Sequence, residues 1–332
     1  MARRPLDPAL LETLRGILRQ RGHRLATVDP LPGDVSSRHY FRMLLETGGT
    51  VVLAVYPDEL SAVCGRFSET AALLSSVGVR VPRILDADCD AGWMLVEDLG
   101  EQNLYQRFAG AAAPWPDLSP YYRTALTFID RIQRVPAEVV AGLSPPLDRG
   151  LLAWELEQTR EAFFEARGWT ASPQLARDLR AALELLLDRL SAGELRPCHR
   201  DFMPRNLVPL DGAAAADEIL GVLDHQDLRL GPPYYDLASL LNDSLFPPEP
   251  LVNELAGARW GDDLARLCYH RVAAQRTLKA VGTYLRFGGE FHRPLIVPTF
   301  ERALGHLARL PETAEMAREL DRQRQRRPDL LH

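Results

Sequence analysis

The sequence of 332 residues contains one lysine, Lys279, and draws its other cations from arginine. Acids outnumber bases, giving a net charge of −6, so no large basic field attracts nucleic acid. No segment approaches the roughly 20 apolar residues of a membrane span, and the start, 1–4, leads into a charged amphipathic stretch and not a signal peptide. We therefore predict a cytoplasmic protein without nucleic-acid or membrane partners.

Cysteine is also scarce. The four cysteines, Cys64, Cys89, Cys198 and Cys268, stand far apart and form no CxxC pair, which argues against zinc or redox chemistry. We expect all four to be reduced, partly buried thiols, as is usual in the cytosol. Hydrophobic residues make up 46% and charged residues 25% of the chain, a composition typical of a globular protein, which argues against a disordered or fibrous one.

The first hundred residues have a β-rich pattern. Asp7-Pro8 is typical of a helix start, and Gly48-Gly49 is typical of a hairpin turn. The predicted elements in this region are a helix from 8 to 22, strands at 35–45 and 50–56, a helix at 59–77, and strands at 81–85 and 93–97.

The rest of the chain is mostly helical. We predict a loop at 109–120, helices at 121–134, 151–167 and 173–190, two short strands within 197–223 around the connection 211–217, and further helices from 235. Strands thus cluster apart from helices, which predicts an α+β fold. We divide it into a small β-rich N-lobe, 1–100, and a larger helical C-lobe, 101–332.

The candidate chemistry lies in the segment 198–207, CHRDFMPRNL. Asp201 and Asn206 stand five positions apart in a loop, and Asp224 follows eighteen residues later at the end of an apolar strand. Phosphoryl transfer uses a carboxylate to accept the proton of the acceptor hydroxyl, which suits Asp201. Mg²⁺ prefers oxygen ligands and keeps some water, so Asn206 and Asp224 suit a metal site that accompanies ATP.

Three motifs in this order resemble those of the aminoglycoside-phosphotransferase family: HRDxxxxN at 199–206, VLDxxD at 222–227 and GPPxxDLA at 231–238. The resemblance implies a bilobal, protein-kinase-like fold, with Asp236 as a structural residue that caps a helix and braces the catalytic loop. His225 stands where this family usually has an aromatic residue. A catalytically inert nucleotide-binding protein remains the alternative of another class.

The nucleotide side of the predicted cleft departs from the general kinase pattern. Residues 33–42, with Ser36 and Ser37, resemble the turn that covers the phosphates, and Glu97 and Leu99 resemble the hinge that holds adenine. The third strand, 51–56, lacks the lysine that kinases use for the α- and β-phosphates. Arg38, Arg42 and Arg205 are our candidates for the replacement cation.

Five segments resemble, more narrowly, the bacterial anomeric kinases for N-acetylmuramate and N-acetylglucosamine: 33–42, 81–88, 199–207, 221–244 and 275–287. The subfamily also lacks the strand lysine. The resemblance implies transfer from ATP to the C1 hydroxyl of the sugar in cell-wall recycling. Gln226, Asp227, Arg276 and Lys279 are candidates for sugar contacts. An aminoglycoside, choline or another sugar remains an alternative acceptor.

Overall fold

The computed structural model describes residues 6–31, 38–111, 115–164, 172–210, 219–259 and 261–331. The strands are β1 (Leu25–Pro30), β2 (His39–Leu45), β3 (Thr50–Val55), β4 (Ile84–Asp88), β5 (Trp93–Glu97), β6 (Arg196–Cys198), β7 (Leu207–Pro209), β8 (Leu220–Val222) and β9 (Arg229–Gly231). The α-helices are α1 (Pro8–Gln20), α2 (Ser61–Ser76), α3 (Leu104–Phe108), α4 (Trp115–Ile132), α5 (Ala137–Leu143), α6 (Arg149–Phe164), α7 (Pro173–Ser191), α8 (Tyr235–Leu241), α9 (Glu249–Ala256), α10 (Asp263–Phe287), α11 (Arg293–Ala308) and α12 (Ala314–Arg326).

The N-lobe is a five-stranded antiparallel sheet in the order β1-β2-β3-β5-β4. The predicted hairpin between β2 and β3 is confirmed. Gly48 and Gly49 both have positive φ, of 77° and 90°, at which a residue with a Cβ is strained. The sequence supplies this conformation with glycine at both positions, and the register follows from it.

Alternate residues of each strand point to opposite faces of this sheet. On one face, α1 packs through Leu14 and Leu18 against Met43, Leu53 and Leu95. On the other face, α2 packs against the intervening positions, among them Ala54, Met94 and Val96. Both helices are therefore held by apolar burial, the largest favourable term in folding.

The C-lobe is a helical assembly around α10, which packs against α6, α7, α8 and α11. Two short strand pairs, β6–β9 and β7–β8, sit within it. They carry the segment 198–207 and the strand before Asp224. No helix in the described ranges is long and apolar enough to cross a membrane.

Helix α2 joins the two lobes. Its residues Ala71 and Leu74 belong to the same apolar core as the C-lobe helices. Beside them, the backbone N–H of Val222 on β8 donates to the carbonyl of Arg80, 2.8 Å away. The N-lobe is thus hydrogen-bonded to the strand that leads into the candidate site.

Several predicted bounds were wrong. The edge strand β1 was not predicted, because it ends in proline and pairs on one side only. The predicted loop 109–120 overlaps the start of α4, which contains Pro116 and Pro120. Pro116 lies in the first turn, where the missing N–H of proline is not required, whereas Pro120 lies inside the helix. The short α3, α5 and β9 were also missed. The connection 211–217 lies outside the described residues. The lobe boundary at residue 100 stays a prediction.

The cysteine prediction was wrong for one pair. Cys64, in the first turn of α2, and Cys89, just after β4, form a disulfide, with Cα atoms 5.5 Å apart. No sequence pattern indicates this pair, since 25 positions separate the two residues and the packing of α2 on the sheet brings them together. Cys198 and Cys268 are free.

Candidate active site

The loop between β6 and β7 carries Asp201, and hydrogen bonds to the side chain of Asp236 stabilise it. One carboxylate oxygen of Asp236 accepts from the backbone N–H of His199 at 2.7 Å, and the other accepts from that of Arg200 at 2.9 Å. Arg200 has φ +78°, a costly conformation for a non-glycine residue that these two bonds stabilise. Burial raises the pKa of Asp236 to about 6. Its carboxylate braces the loop, while α8 itself is preceded by Tyr234 without a side-chain cap.

Asp201 lies at the centre of a group of cations from the C-lobe. Its Oδ1 is 3.5 Å from Nη2 of Arg276 and 3.8 Å from Nζ of Lys279, both on α10. Burial disfavours the charged form, but Lys279, Arg200 and Arg276 outweigh it and hold the pKa of Asp201 well below its usual range. Asp201 is therefore ionised at neutral pH, with a quarter of its side chain exposed.

Arg200 and Asp227 form a second ionic network. The guanidinium of Arg200 donates to Asp227 and, at 2.8 Å, to Glu155 on α6. Asp227 also accepts from Arg229. Asp227, predicted as a sugar contact, therefore has two arginine partners that fix the loop from the C-lobe side.

Asn206 and Asp224 are brought beside Asp201 by backbone pairing. Nδ2 of Asn206 donates to the carbonyl of Asp201 at 2.9 Å, and the N–H of Leu223 donates to the carbonyl of Asn206 at 2.8 Å. With its nitrogen engaged, Asn206 has Oδ1 left as a ligand. Asp224, with φ +59° and 37% of its side chain exposed, adds carboxylate oxygens. This donor set fits Mg²⁺.

The described residues include no group of three or more His, Cys, Asp and Glu side chains that could hold a metal ion. An ion held by Asn206 and Asp224 would thus take its remaining ligands from phosphate and water, as Mg²⁺ commonly does beside nucleotides.

Arg38 and Gln226 both contact Asp224. Nη2 of Arg38, the residue before β2, lies 2.9 Å from Oδ1 of Asp224, and Nε2 of Gln226 donates to the same oxygen at 2.8 Å. Arg38 therefore reaches across from the N-lobe to the predicted metal ligand. Gln226, predicted as a sugar contact, instead donates to the predicted metal ligand Asp224.

The other predicted nucleotide contacts have structural partners. Arg42 donates to both carboxylate oxygens of Asp98, at 2.6 and 3.1 Å, and to the carbonyl of Gly100. Glu97 pairs with Arg80 and Arg83. These contacts tie the sheet to the segment between the lobes, where a hinge was predicted.

Leu99 and Arg205 also pack inward. Leu99 lies over Gly221, where a Cβ would collide with it. Arg205 is buried in the C-lobe, with Nη1 2.8 Å from His292 and Nη2 donating to the hydroxyl of Tyr284 at 2.8 Å. Ser36 and Ser37 lie outside the described residues.

Two further residues connect the metal side to the N-lobe. Nδ1 of His225 is 2.8 Å from Oγ1 of Thr70 on α2, and its ring centroid is 4.2 Å from that of Phe67. Burial, with His199 and Arg38, lowers the pKa of His225 to about 3, so the ring is neutral. Glu69, the acid that kinases would pair with a strand lysine, is exposed next to Thr70.

Sequence reasoning missed Thr70, Glu155 and Asp243. Asp243 accepts from Tyr284 at 2.7 Å and lies 3.5 Å from Arg205. Asp243 falls within the segment 221–244 that carried the family resemblance, which was the available signal. Glu155 and Thr70 are ordinary helix residues in the sequence, and nothing there distinguishes them.

The comparisons with known proteins first define a class. The model of the "Phosphotransferase enzyme family" matches residues 27–271, and the chain belongs to that family. Similar solved folds include macrolide 2'-phosphotransferase type I (TM-score 0.60, 17% identity, 91% of this chain and 99% of that one) and ADP-bound aminoglycoside phosphotransferase APH(2'')-Ib (TM-score 0.62, 14% identity, 94% and 99%). They bear out the α+β bilobal fold. The family and the named relatives make this chain a small-molecule kinase.

The curated relatives are more specific. The chain is 30% identical over 313 residues to the N-acetylmuramate/N-acetylglucosamine kinase of Pseudomonas aeruginosa, covering 88% of this chain and 87% of that protein. It is 28% identical to the protein of the same name from Neisseria meningitidis, covering 83% and 84%. The predicted family resemblance is confirmed.

Proposed function

We propose that this kinase transfers the γ-phosphoryl group of ATP to the C1 hydroxyl of N-acetylmuramate or N-acetylglucosamine. The names of its relatives support the acceptor. The observation that supports this chemistry is the hydrogen bonding of Asn206 to Asp201 and to Leu223, which brings together the residues that we propose as the base and the metal ligands.

Asp201 acts as the base. The acceptor oxygen forms a bond to the γ-phosphorus, the bond from that phosphorus to the bridging oxygen breaks, ADP leaves, and the acceptor proton passes to Asp201. An ionised carboxylate with a low pKa is a weak base, so it orients the hydroxyl and takes the proton late. An anomeric hydroxyl is more acidic than an ordinary alcohol, which suits such a base.

Asn206 and Asp224 would hold Mg²⁺. The bound ion neutralises charge on the nucleotide phosphates. The chain contributes by fixing the two ligands, since the amide of Asn206 is oriented by its bond to the carbonyl of Asp201.

Arg38 is our choice for the cation that replaces the strand lysine. Of the three candidates, Arg42 is committed to Asp98 and Arg205 is buried against Tyr284 and His292. Arg38 extends from the predicted phosphate-covering turn to Asp224, the position where phosphate oxygens would meet the metal. Charge-assisted bonds from a guanidinium to phosphate are among the strongest hydrogen bonds.

The charge around Asp201 argues against a polycationic acceptor such as an aminoglycoside. Arg276 and Lys279 lie on α10 beside the base, and the nearby acids Glu155 and Asp227 are paired with arginines. A cationic acceptor would meet repulsion there, whereas a neutral or anionic sugar would not.

The test is a panel of acceptors with ATP and Mg²⁺, comprising both amino sugars, glucose, choline and an aminoglycoside, with ³¹P NMR of the product. We expect a phosphate on C1 of the amino sugars. A 6-phosphate, or turnover of choline or the aminoglycoside alone, would reject the proposal. Omitting Mg²⁺ with a chelator should abolish turnover in the same assay.

A further inference from the structure

The cations around Asp201 differ in how fully the protein uses them. Arg200 donates to Asp227 and to Glu155. Arg276 is buried and donates from Nε to Oγ of Ser239 at 3.0 Å. The side-chain ammonium of Lys279 donates no hydrogen bond to a residue in the described part of the chain, and its nearest ion partner, Asp201, is 3.8 Å away.

The acid that could have neutralised Lys279 is committed elsewhere. Glu155 on α6 faces α10, but its Oε1 accepts from Arg200 at 2.8 Å and its Oε2 accepts from Gln275 at 2.9 Å. Both oxygens are therefore occupied by fixed donors. The ammonium of Lys279, with 17% of its side chain exposed, remains available to a ligand that lies against Asp201.

We propose that Lys279 binds the carboxylate of an acidic acceptor, so that it sets the preference of this site for N-acetylmuramate over neutral sugars. The inference rests on the proposed function. An ammonium with unused donors binds an anionic oxygen best, through a charge-assisted hydrogen bond. The flexible stem of lysine lets it serve acceptors of more than one shape.

The position of Lys279 suits this role. In N-acetylmuramate the carboxylate is carried by the ether group on C3, on the same ring as the reacting C1 hydroxyl. A group that binds this carboxylate must therefore lie within about one ring's width of the base, as Lys279 does. A neutral sugar has no carboxylate for the ammonium to bind, so it lacks this one contact and keeps the others.

The experiment is a double-mutant-type cycle that combines one substitution in the enzyme with one chemical change in the acceptor. Wild-type enzyme and Lys279→Met are each assayed with N-acetylmuramate and with its neutral methyl ester, at saturating ATP and Mg²⁺. We expect the ester to lower kcat/KM of the wild type by roughly tenfold to hundredfold, mainly through KM, the range of one charge-assisted bond. With the acid, Lys279→Met should lower kcat/KM by a similar factor. With the ester, kcat/KM of Lys279→Met should be close to that of the wild type, because the substitution and the esterification remove the same contact.

Arg286→Met is the matched control, since Arg286 is a cation two turns further along α10 that pairs with Glu161. It should retain the acid-over-ester preference of the wild type. Lys279→Arg keeps the charge and should retain part of the preference. Thermal unfolding of each variant reports whether it folds.

Equal acid-to-ester ratios in wild type and Lys279→Met would overturn the proposal, as would a uniform loss of kcat for both acceptors. If Lys279→Met does not fold, the wild type decides, because equal kcat/KM for acid and ester is incompatible with a carboxylate contact. Turnover of N-acetylglucosamine without any preference for the acid would reject the role of Lys279 alone. Failure to phosphorylate either amino sugar would instead reject the proposed function.

Discussion

The two sides of the catalytic loop are built differently. On the C-lobe side, Arg200, Glu155 and Asp227 are interlocked by several bonds within one lobe. On the metal side, Asp224 is more than a third exposed, and its contact with the N-lobe is the side chain of Arg38. The loop that carries the proposed base is thus fixed within one lobe, whereas the side with the proposed metal ligands depends on how the lobes meet. Substitutions on the two sides should therefore change different kinetic constants.

The largest effect is expected for Asp201→Asn. Loss of the proposed base should lower kcat by roughly 10²–10⁴-fold, while KM for ATP changes little because the Asn206 amide donates to the backbone carbonyl of residue 201, which the substitution leaves in place. Steady-state kinetics with varied ATP check this. Asp188→Asn, at an exposed acid paired with Arg149, is the control. A large rise in KM for ATP would show that the two sides are not separate.

Arg38→Met and Arg42→Met sharpen the comparison on the N-lobe side. The first should raise KM for ATP about tenfold, as expected for one lost charge-assisted bond. The second removes the partner of Asp98, whose side chain is 3% exposed, and should destabilise the fold by roughly 3–5 kcal/mol.

ATP titrations and denaturant unfolding of both variants distinguish these outcomes. If Arg42→Met changed only KM for ATP, the assignment of the two arginines would be reversed.

A smaller, pH-dependent effect is expected at His225, which links the metal side to α2. Because burial lowers its pKa from 6.5 to about 3, the folded chain binds fewer protons at this residue than the unfolded chain between these values. Stability is therefore lost as pH falls below about 6.5, by up to roughly 1.4 kcal/mol per pH unit. His225→Phe, which restores the aromatic residue usual in the family, should not show this loss.

Urea unfolding of the wild type and His225→Phe between pH 7 and pH 5 measures the difference. Thr70→Val is a useful companion, since it removes the hydroxyl that faces Nδ1 and leaves the ring in place. Parallel pH profiles for wild type and His225→Phe would contradict the assignment of the titration to this ring.

The sequence predicted what depends on short spacing. The hairpin at Gly48-Gly49 and the loop from His199 to Asn206 are local, because their residue types set the backbone conformation or the ligand order. What could not be predicted were partners brought together by packing. Glu155 lies 45 positions from Arg200, and no local pattern links them.

The choice among the arginines shows the same limit. Charge near phosphate required a cation, and the sequence offered Arg38, Arg42 and Arg205 equally. Only the tertiary contacts separate them, since Arg42 and Arg205 are committed to Asp98 and to Tyr284. Two smaller errors are the strand β1, which was not predicted, and helix α4, which begins earlier than predicted. Both lie at prolines, whose effect depends on position.

Lys279 carries the sole ε-amino group of the chain, a few ångströms from the base. Burial lowers its pKa. An acylating reagent that modifies lysine ε-amines can therefore react at one position in the chain, Lys279. The yield of that adduct reports whether an acceptor occupies the space beside Asp201. The protein thus contains an intrinsic labelling site for following acceptor occupancy without a turnover assay.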